Sequence, residues 1–454
     1  MGNVRSIRSS VLREALSPPA WARRMMQTDR RTGLMRFRVT PADSEPRAQV
    51  GANAPDVILA RTPWSTVILL GALTAFPPLS LDLYLPSLPA IAKGFGVAAG
   101  APQTTVASFM LGMAVGQLFY GPASDRIGRK PAVLVGVVIY VAASVACALA
   151  GSLELLIAAR FVEALGGCAG AVVGRAMVRD RFGPTETARM LSLMMLIMGM
   201  APILAPIVGG YILAAWGWRA CFWALTGFGV VMLLAITWRM RESRSEATLA
   251  QARAEHPLRA YLEVLRHRRI LGYALCSAFN GATFFTYLAG APGLIIDHYG
   301  VSPSNFGWVF GINAAALIGA SQVNRHVLRR ITPDQVLVRA SWSSSILAGL
   351  MALCALTGLD GFWIIMPLLF AMMGSYGFMQ GNTMAGALNA DPTRSGTISA
   401  LLGAAGFAAG GLGSTLSAAF ADGTPRPLTV IMFAAQLCSA MALRALALPR
   451  RAQA

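Results

Sequence analysis

The chain has 454 residues, of which 55% are hydrophobic and only 13% charged, and its mean hydropathy is +0.57. Soluble domains usually carry about 25% charged residues, whereas apolar runs of about 18 residues or more recur here and are typical of a polytopic α-helical membrane protein. A net charge of +18 would indicate a nucleic-acid partner in a soluble protein. The positions of the charges, given below, exclude that interpretation.

In chain order, residues 1–62 are polar and rich in arginine and lack the apolar core of a signal peptide, so we expect a disordered cytoplasmic tail. Twelve apolar spans of about 20 residues follow. The predicted spans lie near 64–88, 103–123, 131–150, 153–175, 188–214, 218–238, 270–295, 304–324, 334–356, 361–387, 395–420 and 427–446. They form two six-helix bundles, 63–239 and 270–447, separated by a cytoplasmic linker, 240–269, and followed by a cytoplasmic tail, 448–454.

The distribution of basic residues predicts the orientation of the chain. With the N-terminus in the cytoplasm, the loops and helix ends on that side hold 23 Lys and Arg residues, whereas the opposite side holds three. Cytoplasmic loops of membrane proteins carry such an excess. Both termini are therefore predicted to be cytoplasmic, and the basic composition reflects topology.

Two bundles joined by a charged linker are typical of transporters that bind substrate between the halves, near the middle of the membrane. The sequence has no GxxxxGK[ST] loop and no loop large enough for an ATPase domain, so a gradient is the expected energy source and no cofactor is predicted. No HExxH motif, nucleophile elbow or cluster of histidines points to an enzyme or a metal site.

The stretch "GPASDRIGRKP" (121–131) forms the turn between spans 2 and 3. Gly121 is expected to let span 2 approach a neighbouring helix closely. Asp125 lies at a helix C-terminus, which is unfavourable for an anion, so it requires a cation such as Arg129. Gly128 permits the tight reversal of the chain.

This turn resembles the signature loop of the major facilitator superfamily at Gly121, Asp125, Arg126, Gly128, Arg129 and Lys130. The stretches "LDLYLPSLPAIAKGFG" (81–96), "RFVEALGGCAGAVVGRAMVRD" (160–180) and "APILAPIVGGYI" (201–212) are similar to motifs of the drug/proton antiporters. Together they resemble the bicyclomycin-resistance (Bcr/CflA) family across residues 64–446. The resemblance implies the major facilitator fold, the bacterial cytoplasmic (inner) membrane, a cytoplasmic gate at the signature loop and a monomer.

Ionisable residues inside membrane spans are costly and usually functional, and Asp82, Arg160 and Glu163 are the clear cases. At a rise of about 1.5 Å per residue, Asp82 and Arg160 lie roughly 9 and 10 Å below the outer surface. Glu163 follows Arg160 by three residues and faces nearly the same way. We expect both carboxylates to compensate Arg160 and one of them to exchange a proton. The family usually has glutamine in place of Glu163, and some relatives carry an acid at Thr74.

In span 5, Pro202 and Pro206 remove backbone donors on one face and are expected to bend the helix. Gly209 and Gly210 allow it to pack closely on another helix. The resemblance implies that this stretch is a seal that favours antiport.

Candidate residues of the substrate cavity are aromatic or carry amides, which suits bulky amphipathic compounds. They are Tyr84, Asn280, Phe284, Phe285, Tyr287, Asn313, Tyr376, Gln380 and Asn382. The combined hypothesis is proton-coupled efflux of drug-like amphipathic compounds by alternating access, with Asp82 and Glu163 as candidate proton carriers. An exporter or symporter of a metabolite such as an amino acid or sugar remains the alternative.

Overall fold

The computed structural model describes residues 26–28, 35–37, 64–254 and 257–448. Near the N-terminus, strands β1 (Met26–Thr28) and β2 (Met35–Phe37) pair in an antiparallel arrangement. The rest of the predicted disordered tail, and the C-terminal tail after residue 448, lie outside the described residues. The described residues from 64 to 448 belong to one compact unit, and β1 and β2 belong to another.

The first half of the larger unit consists of helices α1 to α8. Their bounds are α1 Trp64–Thr74, α2 Phe76–Asp82, α3 Leu88–Phe95, α4 Gln103–Ile127, α5 Arg129–Ala148, α6 Leu153–Arg181, α7 Pro184–Trp216 and α8 Trp218–Arg239. The predicted linker holds two short helices, α9 Glu246–Ala254 and α10 Pro257–Arg266.

The second half consists of helices α11 to α16. Their bounds are α11 Arg268–Pro292, α12 Pro303–Val327, α13 Pro333–Thr357, α14 Phe362–Ala390, α15 Ser395–Ala419 and α16 Arg426–Ala442. Among the described residues, ten helices are long and apolar enough to cross a membrane, and the bent α1–α3 segment makes an eleventh. The seventh predicted span, 270–295, corresponds to α11, which has 25 residues but is not among these.

The predicted first span is broken between α1 and α2, where the chain bends by 49°. Two prolines, Pro77 and Pro78, occupy the first turn of α2 and have no N–H to continue the hydrogen bonds of α1. The bend is followed by a 3₁₀ turn, Leu85–Ser87. Asp82 is thus the last residue of a short helix, and its surroundings depend on this break.

The two halves pack along two helix pairs, α4 with α15 and α7 with α12. Glycines bring these helices together: a Cβ on Gly307 would lie 2.5 Å from the backbone of Ile207, and one on Gly411 would lie 3.0 Å from the carbonyl of Ala107. The linker bridges both halves, since α9 packs on α4 and α10 packs on α11 and α15. The fold therefore combines close contacts between the halves with a linker attached to both.

Candidate functional site

Arg160 lies at the centre of the first half on α6, a helix whose start is capped by the Ser152 hydroxyl, which accepts from the Leu155 N–H. Its side chain is completely buried. The guanidinium donates to Glu163 Oε2 at 2.5 Å and to the carbonyl of Ser80 at 3.1 Å. Its Cζ atom also lies 4.2 Å from the ring centroids of both Tyr84 and Phe109. Two aromatic faces and one carboxylate thus stabilise this buried cation.

Glu163 accepts hydrogen bonds from a second helix as well. The Ser144 hydroxyl donates to its Oε1 at 2.8 Å, and the Cys147 thiol approaches its Oε2 at 3.7 Å; both donors belong to α5. The predicted Arg160–Glu163 pair is therefore present, fully buried and shared by α2, α5 and α6. Such a pair joins three helices of the first half.

Asp82 is buried, with 3% of its surface exposed, but Arg160 is not its partner. Among the described residues, no cation lies within 4.0 Å of its carboxylate and no hydrogen-bond donor is found. The expectation that Arg160 compensates both acids is wrong for this arrangement. The Ser80 hydroxyl lies 2.7 Å from the Tyr140 hydroxyl of α5, and a residue two positions later is rotated by about 200° around a helix, so the Asp82 side chain faces away from α5.

Asp82 instead lies within electrostatic range of Tyr287 on α11, in the second half. The Tyr287 hydroxyl accepts from the Asn313 amide of α12 at 3.2 Å. The Tyr287 ring stacks on Phe310, with centroids 5.6 Å apart and an angle of 8° between the planes. Two predicted cavity residues, Tyr287 and Asn313, therefore form one polar pair near Asp82.

The remaining predicted cavity residues have separate surroundings. Phe284 stacks on Tyr376 with centroids 5.0 Å apart, and Phe285 stacks on Phe407 at 5.1 Å. Gln380 is exposed. The two amides are used within the second half: Asn280 accepts from Ser439 at 2.8 Å, and Asn382 donates to Asn324 at 3.1 Å. Tyr84 belongs instead to the aromatic contacts of Arg160.

The signature loop is held by charges from three elements. Arg129 forms the expected ion pair with Asp125 and donates through Nε to Asp180 Oδ2, at the end of α6, at 2.8 Å. It also donates to the Ser124 hydroxyl at 2.7 Å. Arg129 therefore ties the end of α4 and the start of α5 to the end of α6.

A linker residue completes this loop. Glu242 accepts from the Arg129 N–H at 2.9 Å and the Lys130 N–H at 3.1 Å, so its carboxylate caps the positive N-terminus of α5. Partial burial raises the pKa of Glu242, but the N–H groups of Arg244, Arg129, Lys130 and Ser243 together hold it below its ordinary value. The chain can approach so closely because Gly128 adopts φ = +106° and has no side chain.

Two further loop residues bond to the end of α8 and to the linker. The Lys130 amine donates to the Thr237 carbonyl of α8 at 3.1 Å, and Arg126 Nε donates to the Ala252 carbonyl of the linker at 3.3 Å. Gly121 does not mediate a close helix approach, because a Cβ there would meet no atom within 4 Å. That expectation is wrong, since Gly121 lies on a side of α4 that no neighbouring helix covers closely.

Helix α7 continues through both Pro202 and Pro206. A Cβ on Gly210 would lie 2.6 Å from the Pro303 carbonyl at the start of α12, and one on Gly209 would overlap the Leu83 carbonyl. The predicted close packing at both glycines is present. Gly209 seats α7 against the chain just after Asp82, and Gly210 seats it against the second half.

Sequence reasoning missed several contributing residues. Ser80, Ser144 and Glu242 carry no motif signal, because their roles arise only when distant helices meet. Asp180 belongs to the "RAMVRD" stretch, where an acid among arginines was the available signal. Arg175 was placed at the end of span 4, but α6 continues six residues further, so this arginine lies within the helix.

Membrane-spanning helices in two packed halves, with a buried charge pair inside one half, are typical of a membrane transporter. Residues 68–414 match the model of the Major Facilitator Superfamily. The chain belongs to this family.

The chain is similar to several curated relatives. It is 31% identical to the bicyclomycin resistance protein homolog of Haemophilus influenzae, over 83% of this chain and 94% of that protein. It is 30% identical to the multidrug resistance protein MdtL of Klebsiella pneumoniae (strain 342), over 84% and 95% of the two chains. The bicyclomycin-resistance resemblance is thereby confirmed.

Solved structures agree on the fold. The crystal structure of a D-xylose-proton symporter superimposes with a TM-score of 0.66, covering 84% of this chain and 97% of that one at 15% identity. A bacterial homolog of the human lysosomal transporter Spinster gives a TM-score of 0.62 at the same identity.

Proposed function

We propose that this transporter exports drug-like amphipathic compounds across the bacterial inner membrane in exchange for protons, with both termini in the cytoplasm. The names of its relatives, which include multidrug and bicyclomycin resistance proteins, support the substrate class. The excess of basic residues on the side of the signature loop and linker supports the orientation.

Transport proceeds by alternating access of two six-helix bundles, 63–239 and 270–447. The glycine contacts along α7 and α12 support this proposal, because backbones that meet without side chains can shift relative to each other. The signature loop, clamped by Arg129 and Glu242, acts as the gate on the cytoplasmic side, and the Pro/Gly stretch of α7 seals the opposite side.

The observation that carries the coupling proposal is the isolation of Asp82. An ionised carboxylate buried without a cation or donor is costly, and binding a proton removes that cost. A substrate that reaches the nearby Tyr287–Asn313 pair changes the surroundings of Asp82 from the second half. Proton release and substrate binding would then be coupled at the junction of the halves.

The Arg160–Glu163 pair has a different role in this proposal. Arg160 and Glu163 neutralise each other, and the Arg160 guanidinium also donates to the backbone carbonyl of Ser80, which lies two residues before Asp82. A change of charge at Asp82 therefore reaches the pair through α2. Glu163 remains the second candidate proton carrier, although its hydrogen bonds with Arg160 and Ser144 hold its carboxylate in place.

The test uses purified protein in proteoliposomes with an imposed pH gradient and a fluorescent amphipathic substrate. Asp82→Asn should abolish substrate movement driven by the gradient while downhill movement persists, and Glu163→Gln should reduce both. Asp422→Asn removes an exposed acid and serves as the control. Gradient-driven transport at the wild-type rate in both Asp82→Asn and Glu163→Gln would end the coupling proposal, and a deletion strain with unchanged drug susceptibility would end the efflux proposal.

A further inference from the structure

Arg175 is exposed in a stretch of α6 that is otherwise buried. Its neighbours Val173, Gly174, Ala176 and Met177 are all buried. Protein atoms surround the Arg175 side chain on nearly all sides, yet solvent reaches it. This combination is expected for a residue that lines a cleft inside the protein and not for one that faces lipid.

The geometry of α6 indicates which cleft this is. Val162, which is 42% exposed in the apolar part of the helix, marks the lipid-facing side. Arg175 follows it by thirteen residues and so points about 140° away from it. Arg160 precedes Arg175 by fifteen residues and differs from it by only about 60° in direction and about 22 Å along the axis. Arg175 therefore lies on the inner side of α6, below the site of Arg160 and Tyr84.

The charge of Arg175 is not compensated by any described residue. No carboxylate lies within 4.0 Å of its guanidinium among the residues that the structure describes. Three acids at this end of the helices are used elsewhere: Arg129 binds Asp125 and Asp180, and backbone N–H groups bind Glu242. Arg179, one turn further along α6, adds a second positive charge that acts on Arg175. The inner side of α6 therefore presents positive potential to whatever enters the cleft.

We propose that Arg175 binds the carboxylate of an amphipathic substrate, so that this transporter favours anionic or zwitterionic compounds over compounds that carry only a positive charge. A guanidinium matches a carboxylate with paired donors, and charge-assisted hydrogen bonds of this kind are stronger than those between neutral groups. A cation meets repulsion from the same group. The inference rests on the proposed efflux of amphipathic compounds and names the charge class of the substrate.

The test compares three probes built on one naphthalene core, with a carboxylate, an uncharged amide or a trimethylammonium substituent. Binding to the purified full-length protein is measured by tryptophan fluorescence, and uptake is measured in proteoliposomes. The variants are Arg175→Gln, Arg175→Lys and Arg175→Glu. Arg253→Gln, on the exposed side of α9, removes the same charge outside the cleft and serves as the control.

Wild type and Arg253→Gln should bind the carboxylate probe most tightly. Arg175→Gln should bind it at least roughly tenfold more weakly, the change expected for one charge-assisted hydrogen bond, with the amide probe unaffected. Arg175→Lys should keep part of the preference, and Arg175→Glu should reverse it towards the trimethylammonium probe.

Two results would overturn the inference, and they differ in what they say about efflux. If wild type transports the amide probe and Arg175→Gln and Arg175→Glu bind all three probes as wild type does, Arg175 does not select substrate charge and the efflux proposal stands. If wild type neither binds nor transports any of the three probes, the efflux proposal fails together with this one.

Discussion

Replacing Glu163 with glutamine should destabilise the protein strongly, because it leaves Arg160 as an uncompensated buried charge. Both side chains have 0% exposure, and the pair is joined by a hydrogen bond of 2.5 Å. Removing one partner of such a buried pair costs about 3–5 kcal/mol. Glutamine keeps the size of Glu163 and its contact with Ser144, so the loss reports the charge and not a cavity.

The double variant Arg160→Gln/Glu163→Gln separates the pair interaction from the cost of burying polar groups. Removing both charges of a buried pair is often nearly neutral, so the double variant should recover at least about 2 kcal/mol relative to Glu163→Gln alone. Unfolding by sodium dodecyl sulfate in mixed micelles, followed by tryptophan fluorescence, gives the free energies. Glu263→Gln, which breaks the ion pairs of Glu263 with Arg259 and Arg394 near the protein surface, is the control and should change the free energy of unfolding little.

Unfolding of Glu163→Gln at the same detergent fraction as wild type would contradict this prediction. A double variant that loses more free energy of unfolding than the two single variants lose together would contradict it as well. Either outcome would mean that Arg160 is stabilised mainly by the Tyr84 and Phe109 rings and the Ser80 carbonyl.

Three further predictions concern the linker and the helix contacts. The pKa of Glu242 is lowered in the folded protein, because its backbone donors outweigh the effect of burial. The stability that Glu242 contributes by attaching the linker is therefore complete above pH 4.5 and is lost as pH falls through the lower folded-state pKa. Thermal unfolding of wild type should show this loss of stability in acid, and Glu242→Gln should show a flatter pH profile. Pro122 has no N–H, so the Leu118 carbonyl one turn earlier in α4 lacks its helical hydrogen bond. The Tyr261 hydroxyl donates to this carbonyl at 3.2 Å, and Tyr261→Phe removes that bond. Electron-spin distance measurements between the linker and α4 should show an about fivefold lower ratio of docked to undocked linker, which corresponds to a loss of about 1 kcal/mol. In a Pro122→Ala background the helix N–H bonds the Leu118 carbonyl again, so Tyr261→Phe should have no such effect. Gly209→Ala places a methyl group against the Leu83 carbonyl and should lower the free energy of unfolding by about 1–3 kcal/mol. Gly121→Ala, which has open space at its Cβ, should leave the free energy of unfolding unchanged. Equal stability of the two variants would contradict the close packing proposed for Gly209.

Helix positions were predictable from the sequence because apolar runs and their breaks are local features. The span predicted at 103–123 is the helix Gln103–Ile127, and the span at 218–238 is Trp218–Arg239. The Asp125–Arg129 pair was predictable for the same reason, since residues four apart on adjoining turns must lie close together. The break in the first span was not predicted, although Pro77 and Pro78 were the available signal.

Only the tertiary structure decided which charges meet. Asp82 and Arg160 lie at similar depths by counting residues, yet the Ser80 side chain faces α5 and a rotation of about 200° between Ser80 and Asp82 turns the acid to the other side of its helix. The role of Glu242 depends on a linker that folds back over a hundred residues, and the exposure of Arg175 depends on how neighbouring helices leave a cleft beside α6. A sequence specifies which residues are apolar, charged or flexible, whereas partners distant along the chain are set by helix rotation and packing, which no local pattern encodes.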